Sequence, residues 1–540
     1  MPDERHPRPP RSGGRVPVLI VGAGPTGLAM ALRLAREGIA HRIVDRTPGP
    51  GRTSRAMTVH ARTMEFYRQL GFAHEVEERG YPTGTVRVFR DGREIAVFGI
   101  EDGGEGISPY PYTMTFPQDQ HEELLLEQLH ALGVSVERDT ELVTFEQDEA
   151  GIRAVLRRSD VDEIVEADFL YGADGAHSAV REGLGLAFEG GTYPQRFYVA
   201  DVEIAGQWTT DTFAAIGPDT LALRFPIRAT GMQRLIGFVP ERLEDRDDLA
   251  FEDMRADVEA LLGIRITAVN WSSVYRSHHR VVERFRKGRV FVGGDAAHVH
   301  SPMGGQGMNT GIGDSFNLAW KLAAVVRSKA SDALLDTYEA ERLPFARILV
   351  ATTDRAARPV VGSGFSGWLL RSVLLPRAFG ILSRFRTFQR AVFLAVSQVR
   401  ISYRTSPLSD GKVGGIRGGD RLPWLPLDED PDGRDDNFDP LRSLRWQVHV
   451  YGKPRPEALA LHDRMGLETH VFPWNARAAR AGFRRDCAVL VRPDGYIALV
   501  ASDQSALGAE ALVGRFGLRL DRDRSAAAPR IAPPDSAAAA

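Results

Sequence analysis

The stretch Val16-Pro17-Val18-Leu19-Ile20-Val21-Gly22-Ala23-Gly24-Pro25-Thr26-Gly27 reads as a buried strand running into a glycine turn that opens a helix. The apolar run ends at Gly22, and Thr26 to Glu37 carries Leu28, Leu32 and Leu34 at helical spacing, with Gly38 as the stop. His41 to Val44 is the next strand, closed by Asp45 and Arg46. Strand, helix and strand within about 30 residues make one mononucleotide-binding half. In that setting Gly22 allows a sharp bend, Gly24 lets backbone approach a pyrophosphate, and Gly27 lets helix pack on sheet. Pro25 and Thr26 begin the helix whose free N–H groups would hold the anion, and Asp45 is placed to accept from ribose hydroxyls. The other reading is an incidental glycine turn, and the loop by itself leaves FAD and NAD both open.

A second glycine loop lies far along the chain: Gly293-Gly294-Asp295-Ala296-Ala297-His298, then Pro302, Gly304-Gly305-Gln306-Gly307, Asn309 and Asp314. It follows a short strand, Val290 to Val292. Asp295 on its glycine turn suits a hydroxylated chain such as ribitol. Gly304 to Gly307 form a turn before a helix, whose first N–H groups around Met308 and Asn309 would face the negative edge of a reduced flavin. A structural turn capped by an acid is the alternative. Two such loops far apart suggest one long ligand held at both ends, and a flavin dinucleotide has that shape.

At 540 residues the chain is expected to form two or three domains. A formal net charge of −3 argues against nucleic-acid binding. One cysteine, Cys487, excludes an internal disulfide and fits a reducing cytoplasm. No signal peptide is read in the first fifteen residues, and no apolar run reaches the ~20 residues of a membrane span. Residues 1–15 and 523–540 are expected to be disordered.

Between the loops the pattern changes. Glu122 to Leu132 reads as a helix; Leu142 to Phe145, Arg153 to Leu156 and Ile164 to Phe169 read as strands. After Ala187 come short alternating runs, Tyr198 to Ile204 and Leu221 to Phe225, suited to an antiparallel sheet with one covered face. Ser315 to Val326 is predicted helical, and Leu334 to about Val399 largely so. Gly411 to Asp439 is a loop and boundary. Trp446 to Val450, His470 to Phe472, Ala488 to Val491 and Ile497 to Val500 then suggest a small C-terminal domain with strands. His298 and His300 read as packed or hydrogen-bonded rather than metal ligands, since no further ligands stand at suitable spacing. His278 and His279 read as surface or core. Trp368 to Arg400, with Arg371, Arg377, Arg384, Arg386, Arg390 and Arg400, reads as an amphipathic helix on the flavin domain, with a membrane-surface helix as the alternative.

The segment Gly294 to Lys321 resembles the flavin-binding motif of the single-component (class A) flavoprotein aromatic hydroxylases, the para-hydroxybenzoate hydroxylase fold. Tyr171-Gly172-Ala173-Asp174-Gly175-Ala176-His177-Ser178, with Val180-Arg181, is similar to that family's middle motif, associated with FAD and the reduced nicotinamide. The resemblance implies Asp45 for ribose, Arg55 for a flavin contact, Gln118 for a ribityl contact and Pro302 beside the flavin's reactive edge. Gly419-Asp420-Arg421-Leu422-Pro423 and Val491-Arg492-Pro493-Asp494-Gly495-Tyr496 resemble the thioredoxin-like C-terminal domain of the phenol- and polyketide-hydroxylase branch. Without a second cysteine that domain performs no dithiol exchange, which leaves packing or oligomerisation.

The implied architecture is α/β: a Rossmann-like FAD domain of glutathione-reductase type at 16–186 and 286–400, extended by helices. A substrate-binding antiparallel sheet spans 187–285, with part of 75–115 assignable to it, and a thioredoxin-like domain spans 405–522. The implied reaction is hydroxylation of a phenolic or polycyclic, polyketide-like aromatic by FAD, NADPH or NADH and O2, through a flavin C4a-hydroperoxide, in a cytoplasmic monomer or homodimer without nucleic-acid partners. The catalytic base is not identified. Baeyer–Villiger or epoxidising chemistry on the same fold, and a flavin-binding sensor without turnover, are the alternatives.

Overall fold

The computed structural model describes residues 11–12, 14–51, 56–90, 92–99, 101–206, 209–217, 220–302, 304–361, 381–427 and 435–520. Arg55, the first ten residues, the tail from 521, and 362–380 with Trp368, Arg371 and Arg377 lie outside the described residues.

The chain folds as a mixed α/β protein around three main sheets. In the first, the long strand Val161–Gly172 is central. Its second half runs parallel to Val16–Val21 on one side and to Val290–Val292 on the other, and Val16–Val21 is parallel to His41–Val44. Its first half pairs antiparallel with Ile152–Arg158, which continues to Thr140–Gln147. The parallel strands are near-continuous apolar runs because both faces are covered. Helices Pro25–Arg36 and Gly307–Val326 lie among that cover, and Leu28, Leu32, Ile312 and Phe316 are fully or almost fully buried in the core.

The second sheet has the order His298–Val299, Ile266–Val282, Phe188–Ile204, Gln233–Phe238, Leu221–Pro226, Thr212–Ile216, Thr85–Arg90, Arg93–Gly99. It is antiparallel except where Thr212–Ile216 runs parallel to Thr85–Arg90. The alternation separates two faces. Tyr198, Ala200 and Val202 pack with Val258 and Leu261 of helix Arg255–Leu262. Phe197 points the other way, with Tyr275 at 5.7 Å and Phe238 at 4.8 Å between ring centroids. His278 and His279 fall within Ile266–Val282.

The third sheet has the order Glu468–Phe472, Gln447–Tyr451, Cys487–Val491, Ile497–Ala501. Helix Pro456–Arg464 connects the first two strands in sequence, which are parallel, and the remaining pairs are antiparallel. Cys487 is buried, and burial pushes its thiol up to about 11.

The late helix runs Gly307–Val326, so it starts where the glycine turn is expected to open a helix and takes in Met308 to Asp314 ahead of the Ser315 to Val326 segment. Gly311 and Gly313 are weak helix formers. Yet a Cβ on Gly311 would lie 2.2 Å from Thr26 Oγ1, and one on Gly313 would lie 3.3 Å from the Arg342 guanidinium. Close packing, which a single segment does not reveal, places glycine inside this helix. Arg386–Val396 is helical; Val392 packs on the second sheet and Phe393 is buried in the flavin-domain core. No helix among the described residues is long and apolar enough to cross a membrane.

Candidate active site

Four parallel strands end on one edge of the first sheet, and each leads directly into a motif. Val21 precedes Gly22, Val44 precedes Asp45, Gly172 precedes Ala173-Asp174, and Val292 precedes Gly293-Gly294-Asp295. In open α/β sheets ligands bind outside the carboxyl ends of the strands.

In the early turn Gly22 has φ +101°, and a Cβ there would lie 2.3 Å from the Ala173 carbonyl oxygen; a Cβ on Gly27 would lie 1.9 Å from the Gly22 carbonyl oxygen. Both glycines are therefore required by the protein's own backbone. Gly24 differs, with φ −75° and nothing within 4 Å of a Cβ. The missing side chain leaves open space in front of helix Pro25–Arg36, whose N-terminus has no side-chain cap and no acid in its first turn. Such an end carries unsatisfied N–H groups and the positive pole of the helix dipole. The cradle fits a pyrophosphate. Asp45 Oδ2 accepts from Ala23 N–H at 2.6 Å, and Oδ1 accepts from the Thr47 N–H and hydroxyl at 2.8 and 2.6 Å. These bonds fix the carboxylate at the rim, with Arg46 exposed beside it.

The late loop abuts the early one. Cβ atoms on Gly294 and Gly311 would fall 2.5 and 2.2 Å from Thr26 Oγ1, and Ser315 Oγ donates to the Thr26 carbonyl at 2.7 Å. The Thr26 side chain is thus a wedge between the two halves. Asp295 is exposed between buried Gly294 and Ala296. The Gly305 N–H donates to the Pro302 carbonyl at 3.0 Å, closing a tight turn. Gly305 has φ +61°, and a Cβ there would lie 2.1 Å from Thr58 Oγ1.

Side chains distant in sequence hold this turn. His60 Nε2 donates to the Gly304 carbonyl at 2.9 Å. Asn309 Oδ1 accepts from His60 N–H at 2.9 Å and Thr63 Oγ1 at 2.7 Å, while Nδ2 donates to the Thr58 and Gly305 carbonyls at 2.9 and 3.0 Å. The Asn309 side chain is therefore a clamp, and only its main chain is left to face a ligand. Met308 Sδ lies 3.3 Å from His121 Nδ1, and the far nitrogen of His121 bonds Tyr67 OH at 2.6 Å. Burial lowers His60 to about 4 and His121 to about 3, so both rings are neutral near pH 7. Gly307 is open like Gly24: the nearest atom to a Cβ is His300 Cε1 at 3.8 Å. It begins a second helix without a side-chain cap.

Asp314 ties the site to the core. Oδ2 accepts from Gly294 N–H and His298 Nε2, both at 2.9 Å, and Oδ1 accepts from Arg342 Nε at 2.6 Å. Burial opposes its charge, but Arg342, His298 and the Gly294 N–H outweigh that and hold it below the usual carboxylate range. His300 Nδ1 donates to the Ser301 carbonyl at 2.9 Å. No group of three metal-ligating side chains occurs among the described residues.

Two further candidates spend their side chains inside the protein. Gln118 Nε2 donates to Glu122 at 2.8 Å. Asp174 accepts from Ser178 Oγ at 2.5 Å and Val180 N–H at 3.1 Å, at the start of Ala179–Gly183. Sequence reasoning missed Thr58, His60 and Arg342 altogether. Asp314 stood in the late stretch with no role, and its place as a hub emerges only from the structure.

The loop is continuous with the second sheet, since His298–Val299 is its edge strand, paired at Arg280 with Val299. Leu223 and Ile236 pair across that sheet on the face opposite helix Arg255–Leu262, and both are half-buried. Ala214 and Ile216 share that face and pack near Val392, whose helix also meets the loop: Gln306 Nε2 donates to the Ala395 carbonyl at 3.4 Å. A half-exposed apolar face thus stands beside the late loop.

Residues 15–353 match the family model described as FAD binding domain. The chain is 34% identical over 525 residues to the 6-methylpretetramide 4-monooxygenase of Streptomyces rimosus, covering 91% of each chain. It is 34% identical over 423 residues to the pentachlorophenol 4-monooxygenase of Sphingobium chlorophenolicum, covering 75% of each. The crystal structure of the flavin-dependent monooxygenase PieE with FAD and substrate superposes with a TM-score of 0.76 at 28% identity, covering 93% of this chain and 98% of that one. Together with the two-loop cradle, these define an FAD-dependent enzyme. The chain belongs to the FAD-binding-domain family of flavoprotein monooxygenases.

Proposed function

We propose that this protein hydroxylates a phenolic or polycyclic, polyketide-like aromatic compound, using FAD, NADPH or NADH, and O2. The observation that carries the reading is the pair of open glycines, Gly24 and Gly307, each at an uncapped helix N-terminus at the carboxyl edge of one sheet. An extended dinucleotide with an anion at one end and a redox ring at the other matches that pair. The names of the relatives, acting on 6-methylpretetramide and pentachlorophenol, support an aromatic substrate, as does the half-exposed apolar face with Leu223 and Ile236.

In this reading Gly22, Gly24, Pro25, Thr26 and Gly27 present main chain to the pyrophosphate, and Asp45 accepts from ribose hydroxyls with Arg46 alongside. Asp295 accepts from the ribityl chain. Gly294, Gly305, Gly307, Met308 and Asn309 offer backbone at the ring, and Pro302 stands beside its reacting edge. Arg55, Gln118 and Asp174 remain candidate cofactor contacts. Bound FAD supplies electron uptake from the nicotinamide and transfer of one oxygen atom from O2 to the ring. The protein's part is to fix both ends of the cofactor and keep water away, which the apolar face and helix Arg386–Val396 favour. The strand order of the C-terminal sheet supports a thioredoxin-like reading, without dithiol chemistry. A monomer or homodimer in the cytoplasm completes the proposal.

The test is a panel of phenols and polycyclic phenols incubated with NADPH or NADH, following cofactor oxidation and hydrogen peroxide together. A true substrate should accelerate oxidation, release little peroxide and gain 16 mass units from O2. Product structure separates ring hydroxylation from Baeyer–Villiger insertion and epoxidation. Cofactor oxidation that yields only peroxide across the panel would contradict an aromatic substrate.

A further inference from the structure

Among the contacts between the C-terminal domain and the flavin domain, one turn meets four helices. Arg492-Pro493-Asp494-Gly495 joins strands Cys487–Val491 and Ile497–Ala501. Its tip is closed by the Gly495 N–H donating to the Arg492 carbonyl at 2.9 Å. Arg492 binds Glu341 of helix Ala333–Val361 through NH1 and NH2, at 2.7 and 3.0 Å. The Pro493 carbonyl accepts from Arg33 of helix Pro25–Arg36 at 3.2 Å. Asp494 Oδ2 accepts from Trp320 Nε1 of helix Gly307–Val326 at 3.1 Å. The Asp494 carbonyl accepts from Arg62 of helix Ala61–Leu70 at 2.7 Å. Gly495 has φ +76°, and a Cβ there would lie 2.9 Å from Gln69 Nε2 on that same helix.

Three of these helices begin at the cofactor cradle. Pro25–Arg36 follows the early turn, Gly307–Val326 follows the late one, and Ala61–Leu70 follows His60, which holds Gly304 and Asn309. The fourth carries Glu341 beside Arg342, the partner of Asp314. Glu341 also binds Lys321 at 2.9 Å and Asn317 at 2.6 Å, both on the late helix. Arg492, Glu341, Lys321 and Asp494 have side chains at most 1% exposed. Buried ion pairs of this kind add little net stability over an apolar core, but losing one partner leaves an uncompensated charge. Their geometric precision is what distinguishes them from apolar packing.

We infer that the turn Arg492–Gly495 positions the cofactor cradle: it sets the spacing of the helices whose N-termini receive the two ends of FAD, with Arg492 and Asp494 as positioning residues. The inference rests on the cradle assignment above. It gives the C-terminal domain a part in cofactor affinity rather than in redox exchange.

The test uses full-length apoprotein titrated with FAD and, separately, with ADP, which reaches only the early turn. R492M removes the links to Glu341 and Asp494 but keeps the Pro493 carbonyl on Arg33. Expected are a rise of at least tenfold in the Kd for FAD, a shift in the visible circular dichroism of the bound flavin, and a Kd for ADP within twofold of wild type. W320F removes one bond from the turn to the late helix and should raise the Kd for FAD about threefold. R455A, on the exposed pair with Asp503, should leave it unchanged. R492M with wild-type far-ultraviolet circular dichroism and an unaltered Kd for FAD would overturn the inference. If R492M does not fold, unaltered binding and flavin spectrum in W320F would do so. Wild-type apoprotein that refuses FAD would instead overturn the cradle assignment itself.

Discussion

The two glycine turns do the same work by different means. In the early turn the chain is constrained by its own backbone: Gly22 and Gly27 each face a carbonyl oxygen at less than 2.5 Å from where a Cβ would stand. In the late turn the constraints are side chains from elsewhere. Thr58, His60 and Asn309 hold Gly304 and Gly305, and Asp314 holds Gly294. The early turn is rigid because no alternative backbone fits. The late turn is rigid only while a buried polar network stays intact, so it is the end of the cradle more sensitive to protonation. That contrast suits the proposed reading, in which the late end would face the ring that changes charge.

The difference can be broken most severely at the early turn. G22A or G27A should lower the stability of the apoprotein by about 3 kcal/mol or more, because backbone rather than a movable side chain must yield. Chemical denaturation of the apoprotein measures this. At the late turn N309A removes four hydrogen bonds and leaves the His60 N–H and the Thr58 carbonyl without their partner. A loss of about 2–3 kcal/mol is expected, with weaker FAD binding, read from denaturation and from titration of the folded variant.

Acid should sharpen the contrast. His60 and His121 sit near 4 and 3 when folded, against an ordinary value of 6.5. Their folded values are depressed, so the unfolded chain binds more protons between the two. The stability they contribute is whole above pH 6.5 and is lost as pH falls toward 4. Melting temperature measured across that window should drop, with uptake of up to about two protons on unfolding attributable to this pair. FAD release should accompany the drop. A flat profile from pH 7 to 4.5 would contradict the neutral assignment.

The smallest effect on folding is expected at the open glycines. G307A adds a methyl group with no neighbour closer than 3.8 Å at the start of a helix, so stability should change by no more than about 0.5 kcal/mol. FAD affinity should nevertheless fall, because the methyl group enters the space reserved for the ring.

The same contrast explains what was readable from sequence. The strands Val16–Val21 and Val290–Val292 coincide with their apolar runs because burial on both faces leaves no other pattern, and His41–Val44 is buried only at Ile43 and Val44. The early turn was readable as a glycine turn because the positive φ of Gly22 and the approach of Gly27 to the Gly22 carbonyl are local, whereas the Ala173 carbonyl that also excludes a side chain at Gly22 comes from far along the chain. The family and the flavin chemistry followed from the order of the motifs. The late turn was readable as a loop but not as a mechanism. His60 lies 249 residues from Asn309, and no spacing rule joins them. The glycines inside helix Gly307–Val326 similarly answer to distant side chains, Thr26 and Arg342. Likewise the turn Arg492–Gly495 was visible as a motif, while its contacts with four helices of the flavin domain emerge only from packing.

The most direct test of the central claim is FAD titration of the G24A apoprotein beside wild type, followed by flavin fluorescence. The account predicts one FAD per wild-type chain, unchanged unfolding in G24A, and a Kd raised at least tenfold, because the added methyl group meets the pyrophosphate and nothing else. Binding as tight as wild type in folded G24A would contradict it.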